Sequence, residues 1–224
     1  MTVGSDRPRF VDRRVRVLGK PVDGAFPRRA PEAERGSVLR VTVVGEEVLH
    51  RPCQDVVDFG TPELTRLIDD MFATMYVAEG VGLAANQVGV DLRLFVYDIP
   101  DTSGVRHVGH IANPVVEDIP APERRLADGM EGCLSVPGPF MTVARPDRAV
   151  VHGQDMHGEP LTLEGTDFFA RCLQHETDHL NGRLYIDRLS ARDRKAALRE
   201  MAERREEIFA ARAARAEALK DMSH

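Results

Sequence analysis

The 224-residue sequence has no apolar run long enough to form a membrane-spanning helix, and its N-terminus lacks the charged-then-apolar order of a secretory signal. Disulfides are equally poorly supported, because the three cysteines, Cys53, Cys133 and Cys172, are an odd set without framework spacing. These absences argue against a membrane or secreted protein. We therefore expect a cytoplasmic chain whose thiols are reduced or bind a metal.

The remaining composition is that of a globular chain with one sizeable core, since 42% of its residues are hydrophobic. Its net charge of −6 is uneven, because residues 1–37 and residues 190–224 carry an excess of Lys and Arg while the body between them is acidic. The acidic body argues against recognition of a specific nucleic-acid sequence. The basic ends could contact RNA phosphates, for which the tail offers Arg199, Arg204, Arg205, Arg212 and Arg215.

The two basic ends differ in pattern. Residues 1–37 contain four prolines among arginines and no sustained apolar period, so we expect a loosely ordered extension. Residues 190–224 are rich in Ala, Arg and Glu and are predicted to form a helical tail that Ser190 and Asp193 cap. The body predicts a strand at SVLRVTVVG (37–45), a helix opening at Thr61-Pro62, a strand at LRLFVYDI (92–99) and a hairpin around His157-Gly158.

The stretch QHETDHLNG carries the strongest chemical signal. In a helix, His175 and His179 lie four residues apart on one face and can bind one metal ion, with Glu176 beside them as a base. The flanking sequence predicts that helix, since Thr166 is a plausible N-cap and Gly182 supplies a C-terminal stop. We therefore expect a metal site in the second half of this helix.

The third ligand does not follow a common metalloprotease spacing, because Tyr185 stands where that pattern has its third histidine. Cys172 is seven residues from His179, about 10 Å along the helix axis, and is better interpreted as a pocket-wall thiol. Cys53 has no polar setting and is typical of a buried thiol. Cys133 is the remaining candidate, because EGCLSVPG surrounds it with a glycine for close approach and with polar neighbours.

The segment GVGLAANQVG (80–89) leads from the first helix into the next strand. Its glycines and alanines allow another backbone to approach closely, and Gln87 stands out as an uncharged polar side chain. The segment lacks a Walker lysine and runs from helix to strand, which excludes a nucleotide-binding loop.

Three stretches, GVGLAANQ, EGCLS and QHETDHLNG, occur in the order of the signature motifs of the peptide deformylases, and the chain resembles that family over residues 38–189. The resemblance implies an α+β catalytic domain in which antiparallel strands surround a central HExxH helix, followed by a C-terminal helix. It also implies a cytoplasmic hydrolase that removes the formyl group from N-formylmethionine of nascent polypeptides and releases formate.

By position, the resemblance implies roles for the motif residues. The metal ligands would be Cys133, His175 and His179. Glu176 would be the general acid/base acting on water held by the metal, while Gln87 and the backbone N–H of Leu134 would receive the formyl oxygen. The family implies one Fe²⁺ per chain, with Zn²⁺ or another divalent transition metal as a substitute.

The same resemblance implies substrate-binding and supporting residues. Gly82 would pair with the substrate backbone, and Val81 and Cys172 would line the pocket for the methionine side chain. Glu131 would form an ion pair with Arg145 that fixes the EGCLS segment. Phe140 stands where some members have a polar residue that contacts the peptide, so the pattern gives no preference beyond methionine.

Two interpretations from other classes remain open. A zincin-type endopeptidase would use Glu200 or Glu203 as a distant third ligand and leave Cys133 structural. A non-catalytic binding module would close its ligands around a structural ion, with a fourth ligand from the protein. Neither explains why Gln87 and the EGCLS segment accompany the HExxH helix.

Overall fold

The computed structural model describes residues 14–221, with side chains as far as residue 218. Its helices are α1 (Glu32–Arg35), α2 (Pro62–Val77), α3 (Asp167–Leu180) and α4 (Ala191–Asp221). Its strands are β1 (Val15–Val17), β2 (Lys20–Pro21), β3 (Gly82–Ala84), β4 (Leu94–Pro100), β5 (Arg106–Val116), β6 (Leu126–Cys133), β7 (Val136–Pro146), β8 (Arg148–Gln154) and β9 (Pro160–Thr166).

Seven strands form the main sheet, and the long strand β5 is its centre. In the order β2-β1-β5-β4-β3, β1 and β4 flank β5 on opposite edges, and β8 pairs with the second half of β5 and with β9. All of these pairings are antiparallel except that of β1 with β5. The register of β5 with β8 shifts between Ala112 and Val115. This irregularity lets β5 leave β4 and continue along β8, so the sheet curls.

Helix α3 lies between the main sheet and the separate β6–β7 ribbon. On one side, Phe169 and Leu173 of α3 are fully buried in a core cluster with Tyr97 of β4 and Leu163 of β9. The face of α3 toward the ribbon is polar instead and carries charged groups. The predicted α+β architecture around a central helix is therefore observed, and it places the HExxH residues inside the protein.

Helix α2 forms as its sequence predicts. The Thr61 hydroxyl accepts a hydrogen bond from the Leu64 N–H at 3.2 Å, and Pro62 occupies the first turn, where no N–H is needed. Its apolar face, including Ile68 and Phe72, is buried against β3, β4 and β5. This helix therefore fixes the position of the GVGLAANQ segment that follows it.

The strand predicted at residues 37–45 is wrong, because this segment forms no ladder. Its backbone N–H groups instead donate to separate acceptors. The Thr42 N–H donates to the Gln87 carbonyl at 2.8 Å, and the Val44 N–H donates to the Ser135 carbonyl at 2.9 Å. Alternating apolar residues indicate an extended, half-buried chain, but they do not specify its partner. The segment thus holds two loops of the candidate site together.

Residues 14–37 are more ordered than the sequence indicates. Strand β1 joins the edge of β5, Ala30 is fully buried, and Arg35 pairs with Asp69 of α2 at 2.7 Å. The expectation of a loosely ordered extension is therefore wrong for this part, because short nonlocal contacts order it without any local period. Residues 1–13 lie outside the described residues.

The predicted hairpin is formed by β8 and β9, with Gly158 in its turn at φ +83°. The tail helix α4 begins as expected, because the Ser190 hydroxyl accepts from the Asp193 N–H at 3.1 Å. It packs along β7 and reaches the end of α2. No helix within residues 14–221 combines the length and apolar character needed to cross a membrane.

Candidate metal centre and active site

The second half of α3 carries both candidate histidines. The helix begins after Thr166, although the Thr166 side chain makes no capping hydrogen bond, and it stops before Gly182, whose φ is +72°. His175 and His179 are 8% and 0% exposed. Their rings are 5.0 Å apart between centroids, as expected for residues one turn apart on one face.

Cys133 meets the two histidines from the end of β6. Its Sγ lies 3.2 Å from Nε2 of His179, and one ligand atom from each of Cys133, His175 and His179 lies within 4.8 Å of the others. A sulfur and a nitrogen bound to one tetrahedral Zn²⁺ lie roughly 3.6 Å apart, given bond lengths of about 2.3 and 2.1 Å. The three side chains therefore fit a single divalent cation.

The charges around the two histidines also suit a cation, which would displace the proton that His175 holds without it. Burial lowers the pKa of His175, but hydrogen bonds to Cys133 and Glu131 outweigh burial and raise it to about 10. Positive charge is thus stabilised between the cysteine and the carboxylate. Burial holds the pKa of His179 well below its ordinary value, so its imidazole is neutral and its nitrogen can bind a metal.

Glu131 is the centre of a buried ionic network. It accepts hydrogen bonds from Arg145 Nε at 2.5 Å and Nη2 at 2.9 Å, and from His175 Nδ1 at 2.9 Å. Burial opposes ionisation of Glu131, but the hydrogen bonds from Arg145 and His175 hold its pKa below the usual range. The expected ion pair with Arg145 is present. The histidine contact directs Nε2 of His175 toward the metal position.

Two members of this network were missed by the sequence reasoning. Arg171 Nη1 donates to Glu131 at 2.7 Å, and Asp178 accepts from Arg145 Nη1 at 2.8 Å. Both residues are on α3 and 8% exposed. Arg171 stands four residues before His175 and Asp178 three residues after it, so both lie on the same helical face. This spacing is the sequence feature that could have predicted them.

Glu176 is enclosed beside the metal ligands. It is 4% exposed, and its Oε2 atom has no hydrogen-bond partner among the described residues. Burial raises the pKa of Glu176 to about 7, against the opposing charges of His175 and Arg145. A β-carbon at Gly82 would overlap the Glu176 carboxylate, so only glycine fits at that position. A carboxyl group with a pKa near neutrality can both accept and donate a proton.

Gln87 is oriented from both ends of its amide. Its Oε1 accepts from the Ala84 N–H at 2.9 Å, so the Nε2 group faces the candidate centre. There Nε2 lies 3.6 Å from Cys133 Sγ and 3.2 Å from Ser135 Oγ. Ser135 was not predicted as a functional residue, yet it touches both Gln87 and, through its N–H at 3.4 Å, the cysteine sulfur.

A cleft of about 400 Å³ opens above these groups. Its lining includes the chain from Ala78 to Gly82 and the chain from Met130 to Phe140. The predicted substrate-binding and oxyanion residues line it, namely Val81, Gly82, Gln87, Leu134 and Cys172. Cys172 is 5% exposed, burial raises the pKa of its thiol well above the ordinary value, and it lies outside the ligand group. Phe140 is 63% exposed at the rim.

Helix α4 closes one end of the cleft, which the sequence did not indicate. Three of its arginines donate to backbone carbonyls: Arg204 to Gly138 at 3.2 Å, Arg212 to Leu134 at 3.1 Å and Arg215 to Val77 at 2.7 Å. These hydrogen bonds engage three of the five arginines that the tail was expected to offer to phosphate. Arg199 and Arg205 are exposed.

The two alternative sites do not fit this geometry. Within the described residues, Cys133, His175 and His179 are the group of side chains that could hold a metal. Glu200 pairs instead with Arg204 at 3.3 Å, and neither it nor Glu203 joins the group, so the endopeptidase arrangement is wrong. No fourth protein ligand belongs to the group among these residues, which also argues against a closed structural ion.

Known proteins are similar to this chain over the same region. The family model described as polypeptide deformylase matches residues 38–195. Peptide deformylase 1 of Streptomyces avermitilis is 61% identical over 176 residues, covering 79% of this chain and 81% of that relative. The peptide deformylase of Mycobacteroides abscessus is 50% identical over 171 residues, covering 73% of this chain and 87% of the relative.

Solved structures are similar as well. The crystal structure of peptide deformylase from Ehrlichia chaffeensis has a TM-score of 0.69 and 34% identity, covering 75% of this chain and 97% of that one. The same enzyme in complex with actinonin has a TM-score of 0.66 and 37% identity, with 75% and 98% of the two chains covered.

Proposed function

This chain belongs to the peptide deformylase family, metal-dependent hydrolases that remove the formyl group from N-formylmethionine, and we propose how its own residues carry out that reaction. The proposal rests on one observation: the group formed by Cys133, His175 and His179 opens into the cleft beside Glu176 and Gln87.

The metal is held by Cys133, His175 and His179. One thiolate and two imidazoles suit Zn²⁺ and Fe²⁺ alike, and we propose Fe²⁺, one per chain, as the native ion, with Zn²⁺ as a substitute. When bound, the ion supplies positive charge that polarises a carbonyl and makes water easier to deprotonate. An Fe²⁺ site would be oxygen-sensitive, because Cys133 is then an oxidisable ligand.

Glu176 moves the protons. Its buried carboxylate, with a pKa raised to about 7, takes a proton from the water that attacks the formyl carbon. It then gives that proton to the leaving amine of methionine. The products are formate and a peptide with a free N-terminus. Because the same group acts as base and then as acid, a pKa near neutrality suits both steps.

Gln87 and Leu134 stabilise the charge that develops on the formyl oxygen. The Gln87 amide is held with its N–H₂ group toward the cleft by the Ala84 N–H, so it needs no reorientation during the reaction. The backbone N–H of Leu134 is the second donor. Each donor of this kind contributes about 2.7–4 kcal/mol of transition-state stabilisation in comparable sites.

The methionine side chain lies against Val81 and Cys172, which both line the cleft. Gly82 pairs with the substrate backbone and, lacking a β-carbon, brings that backbone close to Glu176. A formyl carbon carries only hydrogen, so the enclosed space beside the ligands admits it and excludes a larger acyl group. The cleft thus selects a formamide over an internal peptide bond.

The variant Glu176→Gln tests these roles. We expect stoichiometric metal and unchanged binding of a formyl-Met peptide, with kcat for formate release lowered about 10²- to 10⁴-fold, because proton transfer alone is lost. Retention of most of the activity by this variant would remove Glu176 from the mechanism. Loss of the metal would instead make it a ligand.

Nascent formyl-Met peptides place the enzyme in the cytoplasm at the ribosome. We propose that the exposed Arg199 and Arg205 of α4 contact ribosomal phosphate, since Arg204, Arg212 and Arg215 are engaged within the protein. Replacing both exposed arginines by Glu should weaken salt-sensitive binding to purified ribosomes and leave activity on a short peptide intact. Unchanged binding would end this part of the proposal.

A further inference from the structure

Helix α4 contributes a charged side chain to the metal centre from outside the region that matches the family model. That match ends at residue 195, and Arg212 lies more than four turns further along the helix. Arg212 nevertheless lines the catalytic cleft and donates from Nη2 to the Leu134 carbonyl at 3.1 Å. The contact reaches the segment that carries the candidate ligand Cys133.

The acceptor of this hydrogen bond belongs to the peptide unit between Leu134 and Ser135. In a trans peptide the carbonyl and the N–H point in opposite directions, and the N–H of this unit lies 3.4 Å from Cys133 Sγ. One peptide therefore has a guanidinium at its negative end and the cysteine sulfur at its positive end. Both contacts align with the peptide dipole and reinforce each other.

The Leu134–Ser135 peptide is the hydrogen-bond partner of the Arg212 guanidinium among the described residues. The Nε and Nη1 atoms of Arg212 are buried without a hydrogen-bond partner among the described residues, so no carboxylate bonded there shares the charge. Burial lowers the pKa of the guanidinium, and negative charge on Cys133 opposes that shift. A half-buried cation with one hydrogen bond polarises its acceptor more strongly than a neutral donor does.

We propose that Arg212 is a positioning residue that stabilises the Cys133 thiolate as a metal ligand through the Leu134–Ser135 peptide. This inference rests on the proposed function, because it takes Cys133 as a ligand. A stronger N–H···S hydrogen bond lowers the electron donation of the thiolate to the metal. It also fixes the loop that presents the Leu134 N–H to the formyl oxygen.

Docking of α4 is the competing explanation, and the structure allows the two to be separated. Arg215 also anchors the helix, but its hydrogen bond to the Val77 carbonyl at 2.7 Å and its ion pair with Glu79 at 3.2 Å do not involve the Cys133 loop. Arg192, at the exposed start of α4, serves as a matched control for charge. The substitutions Arg212→Ala, Arg212→Lys, Arg215→Ala and Arg192→Ala therefore form one series.

The experiment uses the full chain loaded with Co²⁺, whose thiolate-to-metal charge-transfer absorption reports the electron density on sulfur. In Arg212→Ala, we expect this band to move to longer wavelength, because the sulfur then donates more strongly. We also expect Co²⁺ release to a chelator to become about 10-fold faster, because the loop that presents Cys133 is no longer fixed. Arg212→Lys should restore the band in part. Arg215→Ala and Arg192→Ala should keep the wild-type band. If the Ala variant does not fold, Arg212→Gln replaces it, because Gln keeps an N–H donor without the charge. We expect the same band shift and faster Co²⁺ release in that variant.

A wild-type band and release rate in Arg212→Ala and Arg212→Gln would overturn the proposal. An equal shift in Arg215→Ala would also overturn it, because docking of α4 would then be the cause. The Cys133→Ser variant separates these outcomes from failure of the ligand assignment. If the thiolate band is absent from the wild type or persists in Cys133→Ser, Cys133 is not the ligand and the proposed function fails first.

Discussion

The Nδ1 atom of His175 donates to a carboxylate oxygen of Glu131 at 2.9 Å, inside the protein. This contact fixes the imidazole tautomer and leaves Nε2 to face Cys133 and His179. Glu131 in turn is held by two arginines, Arg145 and Arg171. The metal site therefore depends on a carboxylate that is not itself a ligand.

Replacing Glu131 by Gln should weaken metal binding about 10- to 100-fold, because His175 loses the partner that orients it. The affinity is measured by competition with a chelator at a temperature where the variant is folded. The control is Glu164→Gln on the exposed face of β9, which should bind metal as the wild type does. An unchanged affinity in Glu131→Gln would show that the Glu131 contact does not support the site.

The ligand assignment predicts that one of the three cysteines is needed for metal binding and that the other two are not. Replacing Cys133, His175 or His179 by Ala should abolish stoichiometric metal, whereas Cys172→Ala and Cys53→Ala should retain it, because both of these thiols lie outside the ligand group. Elemental analysis of anaerobically purified protein gives the result. Metal loss in Cys172→Ala together with metal retention in Cys133→Ala would reverse the assignment.

Arg145 should contribute strongly to stability. It is 1% exposed and bonds both Glu131 and Asp178. Replacing it by Met removes the cation that these two buried carboxylates share, although Arg171 still pairs with Glu131 and Arg188 with Asp178. We expect a loss of about 3–5 kcal/mol in the free energy of unfolding, measured with urea. Arg148→Met is the matched control, since its pair with Glu123 is 50% and 62% exposed and should be worth less than about 1 kcal/mol. Equal losses in both variants would contradict this account.

The sequence predicted some features of this structure and missed others. Caps and turns depend on neighbouring residues, so Thr61, Ser190 and the turn at Gly158 could be predicted locally. The HExxH spacing also predicted His175 and His179 as ligands, and comparison of the three cysteines left Cys133 as the third candidate. Buried charges such as Arg171 lie in the same helix as the motif, but their partners are on β6 and β7, and a single sequence does not specify such pairings.

The errors have the same physical origin. Residues 37–45 have the alternation of a strand, yet their hydrogen bonds go to the Gln87 and Ser135 carbonyls of two loops. Residues 14–37 have no period, yet β1 finds an edge on β5. The arginines of α4 were expected to meet solvent or phosphate, and Arg212 instead reaches Leu134 across the cleft. In each case a long-range partner decided the outcome.

His110 should make the fold sensitive to acid. Burial lowers the pKa of His110 to about 4, and its Nε2 accepts from the Met156 N–H at 3.0 Å. The folded state therefore binds fewer protons, so this contribution to stability is complete above pH about 6.5 and is lost as pH falls toward 4. Between pH 7 and pH 5, wild type should lose about 2 kcal/mol more than His110→Gln does.

Urea unfolding of the metal-free proteins at both pH values measures this difference. Exposed His152, changed to Gln, serves as the control and should follow the wild type. If His110→Gln and wild type lose the same free energy between pH 7 and pH 5, the titration of His110 does not contribute.

The most direct test of the whole account compares formyl-Met-Ala-Ser, acetyl-Met-Ala-Ser and an unblocked oligopeptide on the metal-loaded wild-type chain. The proposed mechanism has the cleft beside Cys133, His175 and His179 take the formyl group and has Glu176 protonate the methionine amine. We predict rapid formate release from the first peptide, little deacetylation of the second and no fragments from the third. Cleavage of the oligopeptide without formate release from the first peptide would contradict the account.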